Sequence, residues 1–228
     1  MLLWNLDILR RDPQLFLLIV GSLTIAVLLA ITIHEFGHAA AANALGDPTP
    51  KRFGRLSINP LRHLDVMGTL MIFLVGFGWG KPVPIGLGHE ARKKVALVAL
   101  AGPLSNIFLA AVLGIFIRVG AVEWHSPLYA YAGGWEAGSI ASFVVGWLVF
   151  INILLAVFNL MPVPPLDGFN IAVGIVPERQ AYGLAKMERY GPLLLLAVVI
   201  LGYYTGFLWD ILLGAAGPLA TVLVGKGI

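Results

Sequence analysis

The chain has no cysteine. Disulfides and thiolate metal sites are therefore excluded, and any bound metal must rely on imidazole and carboxylate groups. Charge is also scarce. Only 12% of the residues are Asp, Glu, Lys or Arg, against about a quarter in an ordinary soluble domain. The net charge of +3 is small, and its basic residues flank apolar runs. That pattern reads as membrane orientation and argues against a nucleic-acid partner.

What fills the space is apolar. No charged residue occurs in Pro13–Ile33, Val95–Ile117, Ala137–Leu166 or Tyr190–Trp209. Each run can supply the ~20 apolar residues that cross a ~30 Å hydrocarbon core as a helix. Val66–Gly80 and Ile211–Gly225 are shorter uncharged runs. The expected fold is an all-α polytopic membrane protein: a bundle of about six membrane segments, one short or re-entrant, with a small β element near the active site. One integral-membrane domain accounts for residues 1–228, with a core over about 13–177 and a C-terminal membrane hairpin over about 190–225. The first apolar run is too long for the hydrophobic region of a signal peptide, so it reads as a membrane helix.

The first helix is expected from about Pro13 to Leu45, with Gly46-Asp47-Pro48 as its stop. In the polar stretch that follows, Arg55–Ile58 suits a short strand. Val66–Gly80 is short for a full span and suits a re-entrant piece. The prolines of "KPVPIG" suit an edge strand. A third helix covers roughly Arg92–Arg118, and a fourth runs from near Ala137 to before Pro162. Between them lie Trp124, Tyr129, Tyr131 and Trp135, residue types favoured at a membrane interface. The final apolar pair flanks a turn at Gly202–Gly206. If the second segment returns to the face it left, twelve of the fifteen basic residues, Lys226 among them, share one face. Positive-inside bias makes that face cytoplasmic and the N-terminus external.

The chemistry begins at "HEFGH". His34 and His38 are spaced i and i+4, so they share a helix face one turn apart. Two imidazoles so placed can grip one zinc ion, with Glu35 beside them as the base for a zinc-activated water. His38 lies seven residues before Leu45, ~10 Å along a helix, and His34 lies ~16 Å from it. Ionisable groups at such membrane depth mark a functional site.

A catalytic zinc usually takes three protein ligands. Between Ala137 and Pro177 the one charge is Asp167, just after the proline-broken "NLMPVPP". Irregular backbone at membrane depth is tolerated where it lines a cavity or is buried in protein. Asp167 therefore reads as the third ligand, the alternative being a carboxylate that only caps a helix N-terminus. His63, His89 and His125 fall in polar loops, and His63 alone is a serious rival ligand. Asn159 suits contact with a substrate backbone or the oxyanion. Asn106 is evenly balanced between that role and interhelical hydrogen bonding, and Asn152 suits packing.

"HEFGH", "AGPLSN" and "NLMPVPPLDG", in that order on successive segments, resemble the site-2 protease family of intramembrane zinc metalloproteases. "NPLRHLDVMGTL" and "GFGWGKPVPIG" are similar to the connecting region of its small prokaryotic-type members without a PDZ domain. The resemblance implies one zinc per chain held by His34, His38 and Asp167, Glu35 as general base, and Asn159, Pro162 and Asn106 near the substrate. It further implies a multi-pass protein of a prokaryotic cell membrane, with its active site toward the cytoplasm. The substrate would be a membrane protein cleaved within or near a transmembrane segment. Two other classes are weighed against this. A non-proteolytic membrane metal-binding protein is one. As a transporter it should carry ionisable residues along both halves of the membrane, and as an inactive scaffold of the same fold it is opposed by the intact Glu35. The other, a di-iron oxidase, needs many more histidines than five.

Overall fold

A computed structural model describes residues 6–75, 78–88, 91–128 and 135–227. Its helices are α1 (Leu6–Arg11), α2 (Pro13–Ala44), α3 (Thr49–Arg52), α4 (Val66–Val75), α5 (Arg92–Arg118), α6 (Ala137–Asn159), α7 (Asp167–Ile175), α8 (Glu178–Ala185), α9 (Gly191–Thr205) and α10 (Phe207–Val224). Tyr129, Tyr131 and His89 lie outside the described residues.

Local chemistry explains the boundaries of α2. The Asp12 carboxylate accepts the Leu15 N–H at 2.9 Å and Pro13 takes the first helical position, both standard ways to satisfy or omit an orphan donor. At the other end Gly46 adopts φ 94°, the left-handed conformation that stops helices. The expected stop is thus observed within one residue. The extents expected for α5 and α6 also match.

α2, α5 and α6 pack on one another, and α7 lies against α5. Small residues allow the close approach. Ala26, Ala30, Ala39, Ala42, Ala110 and Ala156 are fully buried. A Cβ on Gly37 would lie 2.8 Å from the Ala101 carbonyl oxygen, so α2 and α5 meet nearly backbone to backbone. The Ser105 hydroxyl donates to the Ile33 carbonyl across this contact at 2.9 Å. Close contact through small residues is how helices associate where lipid supplies no hydrophobic drive.

Four helices are long and apolar enough to cross a membrane among the described residues: α2, α5, α6 and α10. The expected six segments are therefore not observed as six spans. α9 has fifteen residues, or ~22 Å, and packs chiefly on α10 and the turn before it. The direction of α10 also differs from a simple hairpin returning to its starting face. Gly114 of α5 abuts the Leu223 backbone, and Arg118 donates to the carbonyls of Leu223 (3.0 Å) and Val222. The Trp124 indole donates to Gly227 at 3.0 Å. α10 therefore runs parallel to α5 and ends where α5 ends, which puts Lys226 at the Arg118 end of the bundle. Eleven of the fifteen basic residues remain at the opposite end, from Lys51 to Lys94 and from Arg179 to Arg189.

α4 has only ten residues, or ~15 Å, and Asp65 accepts the Gly68 N–H at its start. The excursion through α4 begins and ends at one place. Leu64 and Gly80 form an isolated antiparallel bridge, and the Lys81 N–H donates to the His63 carbonyl at 2.7 Å. The buried Arg55 guanidinium clamps both strands of this neck through the carbonyls of Arg62 and Lys81. The small β element is reduced to that bridge. Arg55–Ile58 and the "PVPIG" segment form no strand among the described residues, because Arg55 points into the neck and the prolines offer no N–H for a ladder.

Asp47 ties the end of α2 to the returning segment. Its carboxylate accepts the Thr49 N–H at 2.9 Å and the Gly86 N–H at 2.6 Å. Burial by itself raises its pKa, but hydrogen bonds from Thr49, Gly86 and Leu87 outweigh burial and hold it below the ordinary carboxylate value. A depressed folded-state pKa stabilises above the unfolded value near ~4 and loses that contribution as pH falls through the folded value. Hydrogen-exchange protection of the Gly86 amide should therefore fall on acidification below about pH 4. In Asp47→Asn it should be low at every pH; protection equal to wild type in that variant would show that the carboxylate does not anchor this segment.

Candidate metal centre

His34 and His38 project from one face of α2 into the α2–α5 contact, with only 6% and 8% of their surfaces exposed. Asp167 arrives from far along the chain. α6 ends at Asn159, the proline-rich turn reverses direction, and Asp167 opens α7. The reversal is tight, because a Cβ on Gly168 would lie 2.2 Å from the Leu160 carbonyl oxygen. Asp167 is thus both an acidic residue in the first turn of a helix, favoured by the helix dipole, and a member of the histidine cluster. At the other end of α7, Arg92 donates to the Val176 carbonyl at 2.6 Å, complementing the dipole and pinning the helix to α5.

Three atoms converge. The Nε2 atoms of His34 and His38 are 3.1 Å apart, and Asp167 Oδ2 lies 3.1 and 3.2 Å from them. The tautomers follow from the other ring nitrogens. His34 Nδ1 is 2.7 Å from Asn106 Oδ1, and His38 Nδ1 is 2.7 Å from the Val98 carbonyl oxygen. Both partners are acceptors, so each neutral imidazole carries its hydrogen on Nδ1 and directs the Nε2 lone pair inward. Two lone pairs and a carboxylate oxygen then face one another without an intervening hydrogen, and Asp167 Oδ2 is buried without a hydrogen-bond donor. Such an arrangement repels itself in a low-dielectric interior and calls for a cation.

The donor set fits zinc. Zinc–ligand bonds of ~2.0–2.1 Å in a tetrahedron separate neighbouring ligand atoms by about 3.3 Å, close to the observed triangle. The donors are two imidazoles and a carboxylate, the set expected where cysteine is missing. These three residues form a possible metal-holding group among the described residues.

Glu35 is half-buried beside the pair, with its Oε1 next to Gly80. It therefore faces the segment that returns from α4. Asn106 is fully buried behind His34, not on an open face. Its Oδ1 serves His34, while its Nδ2 donates to the Ala30 carbonyl (2.9 Å) and to Asn152 Oδ1 (2.8 Å). Both amide hydrogens are spent inside the bundle. Asn106, expected near the substrate, is hydrogen-bonded here to His34 and to both neighbouring helices. Asn152, expected to pack, is fully buried and hydrogen-bonded between helices. Asn159 is half-buried at the end of α6, where its Nδ2 donates to the Leu155 carbonyl at 3.0 Å, and Pro162 is exposed in the turn beyond.

The rival ligand His63 stands apart from the cluster. It is fully buried in the neck of the α4 excursion with Nε2 2.6 Å from the Ser57 carbonyl oxygen. His125 lies in the loop after α5, with its backbone against Gly146 of α6. Sequence reasoning missed Gly102. A Cβ there would lie 2.4 Å from both Cε1 and Nε2 of His38 and 2.9 Å from Cε1 of His34. A glycine followed by Pro103 inside an apolar helix was the available signal.

Residues 22–202 match the profile of Peptidase family M50. The zinc metalloprotease by name YwhC, of Bacillus subtilis (strain 168), is 36% identical over 199 residues, covering 83% of this chain and 85% of its own. Rip2 of Mycolicibacterium smegmatis, with the same description in its name, is 30% identical over 180 residues, 76% of this chain and 64% of Rip2. Rip2 of Mycobacterium tuberculosis (strain H37Rv) is 29% identical over 191 residues, 81% and 68% of the two chains. No solved structure gives a significant match. The chain belongs to peptidase family M50, the site-2 proteases. It is an integral-membrane zinc metalloprotease that carries out intramembrane proteolysis.

Two substitutions probe the centre. Gly102→Ala should push a methyl group into the His38 ring and lower zinc affinity by about tenfold or more, with helix content by circular dichroism unchanged. Asp167→Ala should reduce zinc retention further, since it removes a donor oxygen from the cluster. Metal analysis of the purified proteins decides both; full zinc content in Asp167→Ala would place the ion elsewhere.

Proposed function

We propose that this protein hydrolyses a peptide bond within or near a transmembrane segment of a membrane-protein substrate, with His34, His38 and Asp167 holding one zinc ion and Glu35 acting as general base. The observation that carries the reading is the convergence of three acceptor atoms at the spacing of zinc donors, with a carboxylate one residue away. Zinc, when bound, supplies a Lewis acid that acidifies water and polarises the scissile carbonyl. Glu35 takes a proton from the attacking water on a carboxylate oxygen and later delivers it to the leaving amine. Hydrolysis then balances: the C–N bond breaks, water adds, and one proton moves to the new amine.

A substrate helix must locally unwind, because its carbonyls are otherwise hydrogen-bonded and covered. The extended segment from Gly80 to Gly86, facing Glu35 at Gly80, is suited to lie beside an unwound stretch. Asn159 and Pro162, at the turn that delivers Asp167, are proposed to contact that stretch, with Asn159 using the oxygen left over from its bond to Leu155. Water and polypeptide would approach from the basic end of the bundle. A cavity of about 790 Å³ opens there between the returning segment, α5, α7 and α8, lined by Ile85, Leu87, Arg92, Phe169 and Asn170. Asn170 is one helical turn from Asp167, on the same face of α7. With eleven basic residues at this end, the positive-inside rule makes it cytoplasmic, and both ends of the described chain external. A prokaryotic cell membrane is the proposed location.

The wild type should cut single-span model substrates in detergent, and Glu35→Gln should retain about one zinc per chain and lose that cleavage. A loss of roughly a thousandfold or more is expected for removing a general base. Full activity in Glu35→Gln would show that another group takes the proton.

A further inference from the structure

A chain of hydrogen bonds crosses the bundle behind His34. It begins on the backbone of α6, where Asn152 Nδ2 donates to the Leu148 carbonyl at 2.7 Å. That bond turns Asn152 Oδ1 toward α5, where it accepts from Asn106 Nδ2 at 2.8 Å. The other hydrogen of Asn106 goes to the Ala30 carbonyl on α2 at 2.9 Å. With both hydrogens so directed, Asn106 Oδ1 can only face His34 Nδ1, at 2.7 Å. Both asparagines have no exposed surface, so water cannot substitute for a missing partner. Each amide has one orientation that satisfies its neighbours, and reversing any one sets two acceptors or two donors against each other.

We propose that Asn152 is a positioning residue for the metal centre. Acting through Asn106, it holds His34 in the tautomer whose Nε2 lone pair faces His38 and Asp167. This rests on the reading of His34 as a metal ligand. A His34 with its hydrogen on Nε2 would present a donor to the cation and could not bind it. Asn152 touches neither metal nor substrate. Its contribution is directional information carried from α6 to α2, and it also makes the assembly of three helices a condition for a competent ligand.

The test uses the full chain in lipid nanodiscs, with zinc affinity measured by chelator competition and the His34 tautomer read from imidazole ¹⁵N shifts of metal-free protein. In wild type His34 should carry its hydrogen on Nδ1. Asn152→Leu should weaken zinc by about tenfold or more and give a mixed tautomer. Asn152→Asp, which as the protonated acid favoured in this buried site donates to the Leu148 carbonyl and keeps an oxygen toward Asn106, should restore both. If leucine is not accommodated, Asn152→Ala serves the same comparison. Unchanged affinity and tautomer in Asn152→Leu or Asn152→Ala would overturn the relay, as would equal losses in those variants and Asn152→Asp. A wild type that binds no zinc would overturn the metal reading itself, a result distinct from either.

Discussion

Three acceptor atoms, two imidazole nitrogens and a carboxylate oxygen, are held within 3.2 Å of one another inside an apolar bundle. Little water is available to screen their repulsion, so the protein must both hold them together and leave room for a cation. Much of the architecture follows from that. Gly37 lets α2 and α5 approach, Gly102 leaves space for two rings, and Gly168 folds the turn that brings Asp167 onto them. The Nδ1 hydrogen bonds of His34 and His38 select the inward lone pairs. A side chain larger than hydrogen at any of these glycines would meet backbone or an imidazole ring.

The second demand is a supply of extended polar chain near that centre without exposing unsatisfied backbone. The excursion through α4 meets it with a neck. Arg55 spends its guanidinium on two carbonyls, Leu64 bridges Gly80, and Asp47 collects amides from both sides of the junction. Buried His63 belongs to this neck, its ring on the Ser57 carbonyl. These residues keep the segment facing Glu35 in place, whereas a regular sheet would need N–H groups that its prolines lack. Basic side chains are concentrated at this end, and the cavity between α5, α7 and α8 opens on the same side.

Features governed by neighbours along the chain were legible in advance. The i, i+4 spacing of His34 and His38 places them on one face of any helix. Pro13 and Gly46-Asp47-Pro48 mark the ends of the first helix, and the prolines after Asn159 forced a break that had to deliver Asp167 somewhere polar. Less legible were features set between segments. The partner of His34 lies 72 residues away in Asn106, and an amide in an apolar helix looks the same whether it meets substrate or a ligand. The direction of α10 depends on Arg118 and Gly114 of α5, not on its own turn. A stretch with strand-like composition became a clamp because Arg55 found two carbonyls.

The sequence by itself therefore determined the solvent, the local helices and the chemistry: a charge-poor oily chain without cysteine that sets two histidines and a glutamate on one helix. Periodicity and transfer cost act residue by residue and need no fold to be read. Only the tertiary structure decided that Asp167 joins the two histidines in space, that the imidazole lone pairs turn inward, that Asn106 and Asn152 stand behind His34, and that four of the described helices are long and apolar enough to cross. Those outcomes depend on which backbones can approach within contact distance and which buried donors can find acceptors, constraints that exist only once the helices are packed.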